Sequence, residues 1–137
     1  MEEEKKKYPI IYPEELTQPT IDGNMVRTKS EALIYNALYE AGYTFVYELP
    51  LQGDSRLFYP DFSILSEIDY KTVIRIEHHG MMGDESYRNK AEVREYDYWN
   101  NGYLPNRDVY FTYDDRNGKC DFTPIAEILF CRVRPVK

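Results

Sequence analysis

The chain has 137 residues, 42% of them hydrophobic, which suits one soluble globular domain with a core of its own. Its formal charge of −7 argues against attraction of the whole surface to nucleic acid and leaves room only for a local basic groove. Two cysteines, Cys120 and Cys131, are too few for a disulfide framework, and no apolar run approaches a membrane span or a signal-peptide core, so reduced thiols and a cytoplasmic location are expected.

Residues 1–25 carry Pro9, Pro13 and Pro19, a charged start and no sustained period, and read as an extended N-terminal arm. Residues 26–137 read as a single domain. A helix is expected from Ser30 to Ala41, capped by Thr28 or Ser30 and ended by Gly42. Ile34, Ala37, Leu38 and Ala41 form its apolar stripe, widened by Leu33. Three strands follow: Tyr43 to Leu51, weakened by Pro50, then Leu57 to Leu65, then Thr72 to Glu77. The short gaps between them suit antiparallel turns and therefore a meander. Asp84 can cap a second helix running to about Asn101, with Tyr87, Ala91 and Tyr98 on one stripe and Lys90 and Arg94 along its edge. Asp108 to Tyr113 is a fourth strand, Asn117-Gly118 a turn, and Pro124 opens a last helix bearing Ile125, Ile128 and Leu129. A strand–helix–strand crossover places the fourth strand parallel to the third. The expected fold is thus α/β: a mixed sheet of about four strands, an antiparallel meander plus a parallel crossover strand, flanked by helices.

Three acids stand out in this frame. Glu31 continues the buried face of the first helix into its first turn, where the helix dipole also favours an acid. Asp61 and Glu77 sit beside strand residues that should be buried, and an ionised carboxylate is seldom placed there without a partner. Two acids converging from neighbouring strands point to a divalent metal, and a metal points to hydrolysis. Glu48, on the first strand, reads as a partner for a basic side chain that could supplement the acids.

The ordered set Arg27-Thr28-Lys29-Ser30-Glu31, Tyr59-Pro60-Asp61-Phe62 and Glu77-His78-His79-Gly80-Met81-Met82 resembles the PD-(D/E)XK nuclease superfamily. It is most similar to small bacterial and phage members that carry an E-H-x-G-M-M segment. The likeness covers roughly Arg27 to Tyr113. It implies a restriction-endonuclease-like three-layer core and a magnesium-dependent endonuclease, with manganese as an alternative ion. The implied substrate is nucleic acid, DNA before RNA, and a homodimer is compatible with it. Asp61, Glu77 and the backbone carbonyl of His78 would hold the metal, and Glu31 would bind a water or a second ion. The superfamily places a lysine two residues after the second acid, where this chain has His79. Either Lys90, on the following helix, supplies the charge or His79 acts as the acid–base. Arg27, Lys29, Arg88 and Arg94 would contact phosphates. The alternative is a catalytically decayed nucleic-acid-binding or protein-interaction module on the same fold.

Overall fold

The computed structural model describes residues 1–80 and 83–135; Met81 and Met82, which complete the E-H-x-G-M-M segment, lie outside the described residues. A four-stranded sheet forms its centre, built from β1 (Phe45–Tyr47), β2 (Phe62–Leu65), β3 (Val73–His79) and β4 (Val109–Tyr113) in that spatial order. The first two pairings are antiparallel and β3 pairs with β4 in parallel. Helices cover both faces, so the fold is a three-layered α/β arrangement of meander plus parallel strand.

Helix α1 (Lys29–Glu40) begins at Thr28, whose hydroxyl accepts the N–H of Glu31 at 3.1 Å. It ends before Gly42, whose φ of +76° is the left-handed C′ conformation that glycine takes without a Cβ clash. Its buried face differs from the expected one. Leu33, Ala37 and Ala41 are exposed, and the face packed on the sheet is Glu31, Ile34, Tyr35 and Leu38. Those four are spaced i, i+3, i+4, i+7, the same period rotated by about a sixth of a turn. With Phe62, Ile64, Ile74 and Ile76 they make the larger core, to which α3 (Phe122–Ile128) contributes Ile125 and a following π-helical turn (Leu129–Val133) contributes Val133.

The opposite face of the sheet carries α2 (Glu85–Asn100), capped by Asp84 through the N–H of Tyr87. Ala91 and Tyr98 are buried under it, and Tyr98 stacks on Phe58 with centroids 4.1 Å apart. Tyr87, expected on the same stripe, is instead exposed. The first two expected strands are shorter than their apolar runs. Glu48 takes a left-handed φ of +53° directly before Leu49-Pro50, which ends β1. Beyond it Leu51–Gln52 pairs with Leu57–Phe58 as a separate small hairpin, and Pro60 interrupts the chain before β2. The arm is also more structured than a bare extension. It holds a helical turn (Glu2–Lys5), a 3-10 turn (Pro13–Glu15) and a short ribbon pairing Gln18–Pro19 with Met25–Val26. Among the described residues no helix is long and apolar enough to cross a membrane.

Candidate acidic metal site

Alternation along β3 fixes which side chains meet. Ile74, Ile76 and His78 face α1, while Arg75, Glu77 and His79 face α2. Asp61 precedes the first residue of β2, where the β2–β3 ladder ends at the pair Phe62↔Ile76. Its Oδ2 therefore accepts the next free strand donor, the N–H of His78, at 2.7 Å. A strand residue presents its N–H and C=O to the same edge, so the carbonyl of His78 faces the Asp61 side as well.

Asp61 and Glu77 line one cavity of about 410 Å³, together with Glu48, His79, Lys90 and Arg94. Glu31 approaches from the first turn of α1. One carboxylate oxygen each of Glu31, Glu48 and Asp61 lies within 4.8 Å of the others. Asp61 thus shares one carboxylate group with Glu31 and Glu48 and one cavity with Glu77, and the charges of Glu31 and Glu77 both act on it. Each of the three acids picked out by the sequence is held by neutral donors. The Tyr47 hydroxyl donates to Glu31, and Thr28 Oγ1 donates to it at 3.1 Å. Tyr98 donates to Glu77 Oε1 at 2.8 Å. Among the described residues the cation paired with Glu77 is Arg94, whose Nη1 lies 3.6 Å from Oε1, and the charge of Arg56 also acts on it.

The charges are out of balance in a way that has a direction. Loss of solvent and the neighbouring charges of Glu31 and Glu77 hold the Asp61 carboxyl well above the usual carboxylate range. Burial raises Glu31, against the hydrogen bonds from Tyr47 and Thr28. Burial likewise raises Glu77, against Arg94 and Tyr98. His79 moves the other way, pushed down to about 4 by burial and by the Arg94 and His78 charges. It stacks on Phe111 and Tyr113, each at 5.6 Å, and is neutral at physiological pH. Among the described residues its Nε2 has no hydrogen-bond partner, and it stands 3.7 Å from Glu77 Oε2.

The cationic residues part company. Lys90 lines the cavity, with its Nζ over the Tyr87 ring at 5.7 Å, but the ion pair with the acids belongs to Arg94. Arg27, expected to contact phosphate, is committed elsewhere. Its Nε donates to Glu48 Oε2 at 2.7 Å, Nη1 donates to the carbonyl of Tyr12 at 2.9 Å, and Nη2 donates to Glu48 Oε1 and to the carbonyl of Ile11. This bears out Glu48 as partner of a base and fastens the arm beside the cavity, whose wall includes Ile11, Tyr12 and Glu15. Lys29 and Arg88 are exposed, Lys29 in the first turn of α1 and Arg88 in the first turn of α2.

Sequence reasoning placed Arg94 among phosphate contacts and assigned no role in the site to Tyr47 or Tyr98. Tyr98 had a signal, since it lies i+4 from Arg94 on the buried edge of α2. Tyr47 had a weaker one, as the last residue of a strand leading into Glu48.

No family model matches the chain. An uncharacterized protein of Methanocaldococcus jannaschii is 33% identical to it over 97 residues, which is 70% of this chain and 8% of that protein. The chain therefore spans less than a tenth of the length of the relative it matches.

Proposed function

We propose that the chain is a metal-dependent nuclease-like domain that hydrolyses phosphodiester bonds in nucleic acid, with DNA as the expected substrate and the cytoplasm as its place of action. One observation carries the reading: the charges of Glu31 and Glu77 both press on Asp61 in a cavity where, among the described residues, Arg94 pairs with Glu77 and Arg27 is taken up by Glu48. Such a group of hard oxygens favours a divalent cation, which would offset the burial that raises all three carboxyl groups and the repulsion that adds to it at Asp61. The donors fit magnesium: Asp61, Glu77 and the His78 carbonyl would hold it, and Glu31 and Glu48 stand ready beside Asp61. Magnesium, when bound, supplies Lewis acidity toward a phosphoryl oxygen and an acidified water.

The chain's own groups do the rest. Arg94 is the permanent cation that can offset charge on the phosphate while the water oxygen bonds to phosphorus and the ester oxygen departs. That leaves a phosphomonoester and a hydroxyl. His79 is too weak a base to carry a proton at neutral pH, so the charge of the expected lysine falls to Arg94 and not to His79. Neutral His79 remains as a proton acceptor lining the cavity. Tyr98 keeps Glu77 aimed at the cavity by its hydrogen bond.

The test is cleavage of single- and double-stranded DNA and RNA with magnesium or manganese, alongside calorimetric titration of the metal. Wild type should bind the ion and cut; Asp61→Asn and Glu77→Gln should lose both. Cleavage that persists in these variants overturns the mechanism. A second reading, a nucleic-acid-binding module without turnover, is favoured by one feature: His79 stands where a lysine is expected, and the guanidinium of Arg94 that would replace its charge does not give up a proton. Metal-dependent binding with no product from any substrate would select it.

A further inference from the structure

His78 does more than border the acids. Its backbone N–H holds Asp61, while its imidazole is turned to the α1 face and almost entirely enclosed. There Nδ1 lies 2.7 Å from Thr112 Oγ1 and Nε2 lies 2.7 Å from Asp114 Oδ1. Thr112 is a fully buried residue of β4, in register with His78. Ser30 Oγ donates to the same Asp114 oxygen at 2.6 Å, and Ser30 is the residue directly before Glu31. Asp114 is itself fixed. Its N–H donates to the carbonyl of His79 at 2.9 Å, and it bridges to Cys120 across the Asp115–Gly118 turn. Gly80 leaves it room, since a Cβ there would stand 3.1 Å from Asp114 Oδ2.

These bonds tie the start of α1, which carries Glu31, and the end of β3, which carries Glu77 and His78, to the end of β4. We propose that Asp114 and Thr112 are positioning residues: acting through His78, and with Ser30 as the link to α1, they set the separation of Asp61, Glu31 and the His78 carbonyl. The inference rests on the metal-site reading above, and it adds that the site's affinity is governed from the opposite face of the sheet. Partners of this kind, outside the ligands themselves, change metal affinity by roughly 10–100-fold when removed. A polar network enclosed this completely also has a strong geometric hold, because an unmade bond inside it is costly.

The experiment uses the full chain and four proteins: wild type, Asp114→Ala, Thr112→Val and Thr112→Ser. Thr112→Val keeps the side-chain shape and removes the hydroxyl; Thr112→Ser keeps the hydroxyl. Two quantities are read, the affinity for manganese by calorimetry and the hydrogen-exchange protection of the His78 amide in chelator. Asp114→Ala and Thr112→Val should weaken manganese binding roughly 10–100-fold and strip protection from the His78 amide, while Thr112→Ser keeps both near wild type. Folded Asp114→Ala or Thr112→Val with wild-type affinity and protection overturns the proposal. So does a loss in Thr112→Ser equal to that in Thr112→Val, which would indicate packing alone. Wild type that binds no manganese but shows a protected His78 amide, lost in the two disrupting variants, retains the brace and overturns the metal site.

Discussion

In the proposed reaction Arg94 is the side chain that carries the charge of the missing lysine. Three cations line the cavity, and with Arg27 held by Glu48 and the arm, Lys90 and Arg94 are the two to compare. Lys90 is exposed and engaged with the Tyr87 ring, whereas Arg94 approaches Glu77 to 3.6 Å and is the named counter-charge that draws the Glu77 carboxyl down. Removing a charge aimed at the reacting phosphate should cost roughly 10²–10³-fold in turnover. Arg94→Ala is therefore expected to lower kcat by about that factor, and Arg94→Lys to recover part of it, because lysine keeps the charge and loses the planar fork. Lys90→Ala should stay within about threefold of wild type, as befits a surface lysine. Steady-state cleavage assays check the order. A larger loss in Lys90→Ala than in Arg94→Ala would return the lysine role to Lys90.

At the level of elements, the order helix, meander, helix, parallel strand was legible because each turn of the chain is marked by a cap, a glycine or a proline. Thr28, Gly42, Asp84 and the Asn117-Gly118 turn all act where the spacing puts them. The face of α1 was not legible, because two stripes fit one period. Glu31 was expected on the buried face, but Leu33, Ala37 and Ala41 compete with Tyr35, and hydrophobicity alone selects the former. Tertiary bonds decide for the latter: Tyr35 donates to Asp22 Oδ2 at 2.7 Å and Glu31 is held by Tyr47. The fate of Arg27 was hidden for a similar reason, since its acceptors are a kinked Glu48 and two carbonyls of the arm. The Asp114 brace had no local mark at all, being assembled across 84 positions. The rotated stripe has a direct check. Leu38, 1% exposed, should cost about 2–5 kcal/mol on truncation to alanine, and Leu33, 53% exposed, no more than about 0.5 kcal/mol. Denaturant unfolding of Leu38→Ala and Leu33→Ala measures both, and equal losses would restore the stripe read from hydrophobicity.

For the molecule as a whole, the acids set folding without an ion against the metal binding proposed for them. Asp61 has a folded pKa far above its unfolded value, so across the interval between them the native state holds the proton that the unfolded state has released. The sign follows: this group's stabilising contribution is complete below the ordinary aspartate pKa of about 3.9 and is lost as pH rises through the raised folded value. His79 acts in the opposite sense. Its depressed pKa makes the native state the poorer proton binder from about 4 up to its ordinary value, so stability gains with pH there. The raw pH profile mixes the two, and the difference between wild type and Asp61→Asn separates them, because His79 is common to both. Asparagine can still accept the His78 N–H and brings no charge. In chelator, Asp61→Asn should match wild type at the acid end and exceed it in Tm by a margin that widens with pH above about 4 and then levels off. Magnesium at a hundredfold its dissociation constant should return about 2.7 kcal/mol to wild type near neutrality and nothing to the variant, so the curves close or cross. Thermal melts from pH 4 to 8.5, with and without the ion, decide it. A margin that shrinks with rising pH, or an equal response of both proteins to magnesium, would mean that Asp61 neither suffers from its neighbours nor holds the metal.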